Sequence, residues 1–257
     1  MNTALDLSII IAPLLAGLLV LLTHVPLGAQ VLRRGIVFID LAIAQIAALG
    51  VIVAGLFAAE PEGWLVQLAA GLAAVLGAFL LTWTERRWPD VQEAQIGALF
   101  VLAATGGLLL LAHNPHGGEH LHALLAGQIL WVRPEQLIGP AVGGVCILLA
   151  LLRCGDRLGR TGFYLVFALA VTMSVQLVGI YLVFASLIIP ALGTRNHTGR
   201  WRLPLAWLVG AAGYAIGLVL STLFDLPSGA LIVWCVSACA VLAYALGPPP
   251  AALVSRF

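Results

Sequence analysis

Lysine is absent from this 257-residue chain, and charge of either sign is scarce: arginine supplies all twelve basic residues, there are eleven acidic ones, and charged residues make up 9% of the total. A soluble globular domain carries about 25% charged residues. With 62% hydrophobic residues and a mean hydropathy of +1.09, the composition excludes a water-soluble protein. Without lysine the phosphate-binding G-x-x-x-x-G-K-[ST] loop cannot be present, so any ATP that drives this protein is hydrolysed by another chain. No H-E-x-x-H occurs, and no serine, histidine and aspartate stand in a relation suited to intramembrane proteolysis, which leaves a membrane enzyme the least favoured class. Residues 1–7 carry Asp6 but no arginine, so the charged start of a cleaved secretory signal is missing and the first apolar segment is expected to stay in the mature protein. The four cysteines, Cys146, Cys154, Cys235 and Cys239, lie in or beside apolar segments, where free packing cysteines are common.

What is present is a series of long apolar runs, at 8–32, 36–59, 64–83, 95–112, 136–152, 163–190, 203–224 and 229–246. A spanning helix takes about 20 residues, so the chain supplies one compact bundle and little else; a single transmembrane domain over 1–257 is expected. The run 163–190 is flanked by Arg153, Arg157 and Arg160 on one side and Arg195, Arg200 and Arg202 on the other. Basic residues prefer the cytoplasm, so both ends belong inside. That requires two crossings, most simply two short helices joined near Val178-Gly179. The reading is an all-α polytopic bundle of eight or nine helices with a broken pair near 163–190. With the N-terminus outside, every arginine except Arg133 falls inside, which puts Glu60, Glu62, the stretch 113–122 and Asp225 on the outer face. Residues 122–132 are too short to span and read as a re-entrant or interfacial helix.

Acidic side chains within hydrocarbon cost about 2.5–3.5 kcal/mol on insertion scales and are functional suspects. Asp40 lies six residues past Arg34, roughly 9 Å along a continuous helix at about 1.5 Å per residue. It reads as a cation ligand on a pathway or, equally, as an ion-paired or helix-capping carboxylate. Gln45 is about 140° around the helix from Asp40, on another face. Gln176, with Thr172 and Ser174, forms a second polar group near the proposed break, and broken helices surround transporter substrate sites; hydrogen bonding between helices is the blander reading. His113, His116, His120 and His122, with Glu119, crowd one outer stretch that could bind a metal ion or simply touch a partner. Glu93, beside Arg86 and Arg87, reads as a salt-bridge partner. Gly139 with Gly143 and Gly213 with Gly217 are small pairs at one-turn spacing, suited to close helix packing within or between subunits.

Three stretches carry a resemblance. Pro13-Leu-Leu-Ala-Gly-Leu-Leu-Val20 runs through Val31-Leu-Arg-Arg34 to Phe38-Ile-Asp40; Leu177-Val-Gly-Ile-Tyr-Leu-Val-Phe-Ala-Ser-Leu-Ile-Ile-Pro-Ala191 follows; then Leu220-Ser-Thr-Leu-Phe-Asp-Leu-Pro-Ser-Gly229. Together, with a weaker Glu93-Ala-Gln-Ile-Gly97, the chain resembles the metal-ion (zinc, manganese, iron) permeases of ATP-binding-cassette importers. The resemblance implies a dimeric permease, a homodimer or a pair with a related chain, in the bacterial inner (plasma) membrane. It further implies a separate cytoplasmic ATPase, an extracytoplasmic metal-binding protein and a transported divalent ion, most simply zinc or manganese, with no permanently bound cofactor. Membrane lipid is expected as a partner and nucleic acid is not. Asp40 matches the family aspartate, but the histidine expected four residues later is Ala44. The inner loop with Asp156, Leu158 and Gly159 stands where the family engages its ATPase. The pathway expected from these readings runs past Asp40, Gln45 and Gln176. The alternatives are a permease for a metal chelate such as a siderophore, and a channel or secondary transporter that works without ATP.

Overall fold

A computed structural model describes residues 7–57, 63–111, 129–154, 158–197 and 199–248. Among them are nine α-helices: α1 (Leu7–Arg34), α2 (Ile39–Phe57), α3 (Gly63–Arg87), α4 (Gln92–Leu111), α5 (Ile138–Cys154), α6 (Gly159–Val178), α7 (Ile180–Gly193), α8 (Arg202–Phe224) and α9 (Ser228–Ala245). No strand occurs among the described residues, so the all-α reading holds. Seven helices are long and apolar enough to cross a membrane, while Ile39–Gly55 in α2 and Ile180–Gly193 in α7 are shorter apolar helices. A bilayer offers no water to the backbone, and helices answer this by pairing every amide internally.

The break in the sixth apolar run falls where the arginines on both flanks require it. α6 closes at Gly179, whose backbone (φ 82°, ψ 164°) lies in a region reserved for glycine, and α7 starts at the next residue. Only 129–132 of the expected 122–132 helix is described, and there Ile129–Trp131 forms one 3₁₀ turn.

α1 lies at the centre, packed against α5, α6, α7 and α8; α2 sits among α3, α4 and α6; α9 is flanked by α7 and α8. The small pair Gly213 and Gly217 serves packing within the chain. A Cβ at Gly213 would come within 2.5 Å of the Val236 Cα, and one at Gly217 within 2.6 Å of the Ile232 Cα, so α8 and α9 meet backbone to backbone. The turn between them is built around Asp225, a non-glycine residue in the left-handed region (φ 51°, ψ 44°), which aspartate tolerates better than most. Ser221 anchors this turn, its hydroxyl donating to the Leu226 carbonyl at 2.7 Å.

Candidate functional site

α2 begins after a turn through Gly35, so the rise of a continuous helix from Arg34 to Asp40 does not apply: Asp40 stands in the first turn of a new helix. It is 1% exposed, and its Oδ1 has no hydrogen-bond partner, although buried polar atoms are almost always paired. Ala44, four residues on and therefore on the same face, is also buried. The neighbouring face of α2 carries Leu41 and Gln45, and these line a cleft of about 700 Å³. Phe100 of α4, Tyr181 and Phe184 of α7 and Trp234 of α9 form other walls, so the segment that follows the Gly179 break borders the cleft directly. Gln45 brings the one carboxamide to an otherwise apolar and aromatic lining. Asp40 and Gln45 thus occupy adjacent faces of α2, one turned into the bundle and one to the cleft.

Gln176 lies elsewhere. With Gln67 of α3 and Gln136 it lines a second pocket of about 500 Å³, and its Nε2 has no partner. Thr172 and Ser174 are buried nearby on α6. Ser174 faces Thr23 across a void of about 10 Å³, near the minimum for one water molecule. The structure brings Gln176 to neither Asp40 nor the cleft. His113, His116, His120, His122 and Asp156 lie outside the described residues; Leu158 is partly buried just before α6, and Gly159 has φ +61°. Among the described residues no group of three or more histidine, cysteine or acidic side chains gathers as a metal cluster.

Two features escaped the sequence reading. His24, in the middle of the first apolar run, is fully buried, with Nδ1 3.0 Å from the Val20 carbonyl and 3.0 Å from the Thr23 hydroxyl. A carbonyl only accepts, so Nδ1 carries the proton and the buried Nε2 is an acceptor without a partner. The second feature is a polar collar at one end of the bundle. Arg160 pairs with Glu85 at 3.6 Å, Arg86 donates to the Thr161 hydroxyl at 3.0 Å, Gln92 donates to the Tyr164 hydroxyl, and the Arg34 guanidinium lies 4.0 Å over the Phe163 ring. Glu93 does not pair with Arg86 or Arg87 as expected; its Oε1 accepts the backbone N–H of Phe38 at 3.2 Å. The free N–H groups at a helix start attract a carboxylate more specifically than a mobile surface guanidinium does. The first turns of α6 are therefore tied to α1, α3 and α4, and α4 to the start of α2.

The profile of the ABC 3 transport family matches residues 6–158 and 156–247. The chain belongs to this family. It is a multi-pass membrane transport subunit of the ABC type. The "Manganese transport system membrane protein MntC" of Halalkalibacterium halodurans is 26% identical over 245 residues, covering 86% of this chain and 82% of that protein. The fold is shared with PsaBC from Streptococcus pneumoniae, solved in complex with Fab, at a TM-score of 0.75 and 19% identity over 94% of this chain and 93% of that one. It is shared as well with an inward-facing transporter described as of metal-chelate type, at a TM-score of 0.68 and 19% identity, over 91% and 85% of the two chains.

Proposed function

We propose that this chain is the permease of an ABC importer for a divalent metal ion, with manganese the favoured ion and zinc the next. The observation that carries the reading is Asp40, a buried carboxylate with an open oxygen, one residue from the wall of a cleft bordered by a broken helix. The family match and the name of the MntC relative support a metal substrate. Ala44 removes the imidazole expected beside Asp40, so the donor left on that face of α2 is the carboxylate of Asp40, an oxygen ligand. Oxygen donors suit manganese, whereas imidazole and thiolate suit zinc.

In this account two copies of the chain, or this chain and a related one, close the cleft between them in the bacterial inner membrane. A cytoplasmic ATPase docks on the loop at Asp156, Leu158 and Gly159, and an extracytoplasmic protein delivers the ion near the 113–122 stretch and the Asp225 turn. ATP binding and hydrolysis rock the pair so that the ion passes the broken helix, Gln45 and Asp40. The polar collar links the docking loop, through α6 and α4, to the start of the helix that bears Asp40. Uptake of radiolabelled manganese by cells that depend on this chain tests the reading: Asp40→Ala is expected to abolish uptake at unchanged expression, and unimpaired uptake removes Asp40 from the pathway.

A second reading is favoured by the lining of the cleft. A volume of about 700 Å³ with aromatic walls and a single carboxamide suits a metal chelate better than a bare ion. Such a permease tolerates the loss of Asp40 and is stimulated by the chelate but not by the free metal.

A further inference from the structure

Three carboxamides meet in a pocket that the transport reading leaves unused. Gln67 of α3, Gln136 just before α5 and Gln176 of α6 line a space of about 500 Å³, together with Gly139 and Met173. It shares no lining residue with the cleft that contains Gln45. Each glutamine stands at the end of its helix away from the arginines: α3 ends on Arg86 and Arg87, α5 carries Arg153 in its last turn, and Arg160 lies at the start of α6. By the arginine distribution the pocket therefore belongs to the outer end of the bundle.

Gln176 needs a hydrogen-bond partner that the protein does not supply, since its Nε2 is buried and unpaired. The break at Gly179 adds backbone groups to this demand. The Gly179 N–H donates to the Val175 carbonyl at 2.8 Å, and the chain then turns away at φ 82° and ψ 164°. The carbonyls of Gln176 and Leu177, both on the pocket wall, thus lose the amides that a continuing helix would bring. Irregular backbone at membrane depth is tolerated where it lines a water-filled cavity, and a polar space of this volume holds several waters.

The pocket continues inwards. Met173 also lines the void of about 10 Å³ between Thr23 and Ser174, so the two spaces share the wall that its thioether forms. The Thr23 hydroxyl donates to the Val20 carbonyl at 3.2 Å, keeps a lone pair for an incoming donor, and stands 3.0 Å from Nδ1 of His24. The buried imidazole is thereby one hydroxyl away from the void. The small pair Gly139 and Gly143 shapes the passage. A Cβ at Gly143 would come within 2.3 Å of the Met173 methyl, so the thioether lies against bare backbone, whereas nothing lies within 4 Å of a Cβ at Gly139.

We propose that this pocket is an aqueous inlet from the outer face. Its waters bond Gln176 and the end of α6, and they continue past Met173 to a single bound water between Thr23 and Ser174, beside His24. The inlet is distinct from the cleft and stands whichever substrate is carried.

Hydroxyl-radical footprinting of the full-length chain in lipid nanodiscs tests it, because radicals generated from water oxidise the side chains beside that water. Met173 is the natural reporter, since the only other methionine is Met1. Rapid oxidation of Met173 is expected. Val166→Met, on the same helix but lining neither space, supplies a dry reference within the same molecule and is expected to stay unlabelled. Gly139→Phe, at a position with room for a side chain, is expected to fill the inlet and to remove most of the Met173 labelling. Sidedness is read without that variant: in a background freed of the four native cysteines, Gln176→Cys is expected to react with a membrane-impermeant thiol reagent added from outside. Met173 oxidised no faster than the Val166→Met reference, or labelled as in the wild type when Gly139→Phe is present, overturns the proposal. So does a Gln176→Cys thiol that reacts only from the cytoplasmic side.

Discussion

The carboxylate of Glu93 accepts the backbone N–H of Phe38 at 3.2 Å, so the start of α4 holds the start of the helix that carries Asp40. A helix start leaves amides unpaired, and a charged acceptor there forms a strong hydrogen bond. Glu93→Ala is expected to lower stability by about 1–2 kcal/mol, the range for a lost helix cap or a hydrogen bond to a charged group. Thermal unfolding in detergent reads the loss. Glu93→Gln, which keeps an acceptor, is expected to recover most of it.

The collar gives Tyr164 a role that a packing residue does not have. Its hydroxyl receives the Gln92 amide, next to Glu93, while the neighbouring Arg160 and Thr161 are tied to α3. Tyr164→Phe is expected to leave assembly with the ATPase intact and to reduce the number of ions carried per ATP hydrolysed. Leu158→Glu, in the loop proposed to dock the ATPase, is expected to abolish co-purification of the ATPase. An unchanged ratio of transport to hydrolysis in Tyr164→Phe removes the collar from the coupling route.

Gly179 sits at φ 82° and ψ 164°, where a side chain is strained. Gly179→Ala is expected to cost about 1–3 kcal/mol and to shift the wall of the cleft, because Ile180 and Tyr181 follow directly. Tm measures the first effect. Substrate-stimulated ATP hydrolysis measures the second.

The Gln45 carboxamide is the polar handle of the cleft, so Gln45→Leu separates the two substrate readings. For a bare ion the substitution is expected to weaken transport at least about 5-fold, the value of roughly 1 kcal/mol for one oxygen contact. For a chelate held by aromatic walls, transport is expected to persist. Competition between free manganese and a manganese chelate in uptake assays distinguishes them.

The helices were legible in the sequence because hydrocarbon imposes length and apolarity on each crossing, and the break at Gly179 was legible because arginines at both ends of one run demand a return. Asp40 stood out for the cost of a carboxylate in lipid, yet its depth did not follow from counting residues, since the turn at Gly35 resets the helix. Gln176 is close to the break in sequence, but its face of α6 opens to a different pocket. His24 left a trace, a lone imidazole in an apolar run, although its bonds to Val20 and Thr23 are local. The Glu93–Phe38 contact left none, because it joins positions 55 residues apart and depends on how α2 and α4 pack.

The central claim is that Asp40 lies on the route of a metal ion driven by a partner ATPase. The most direct test is ATP hydrolysis by the permease reconstituted in lipid with its ATPase and binding protein, scanned over manganese, zinc, iron, nickel, cobalt and copper. Manganese is expected to stimulate hydrolysis, and Asp40→Ala to remove that stimulation while basal hydrolysis and assembly remain. Stimulation that survives in Asp40→Ala, or a wild-type complex that answers no free ion, contradicts it.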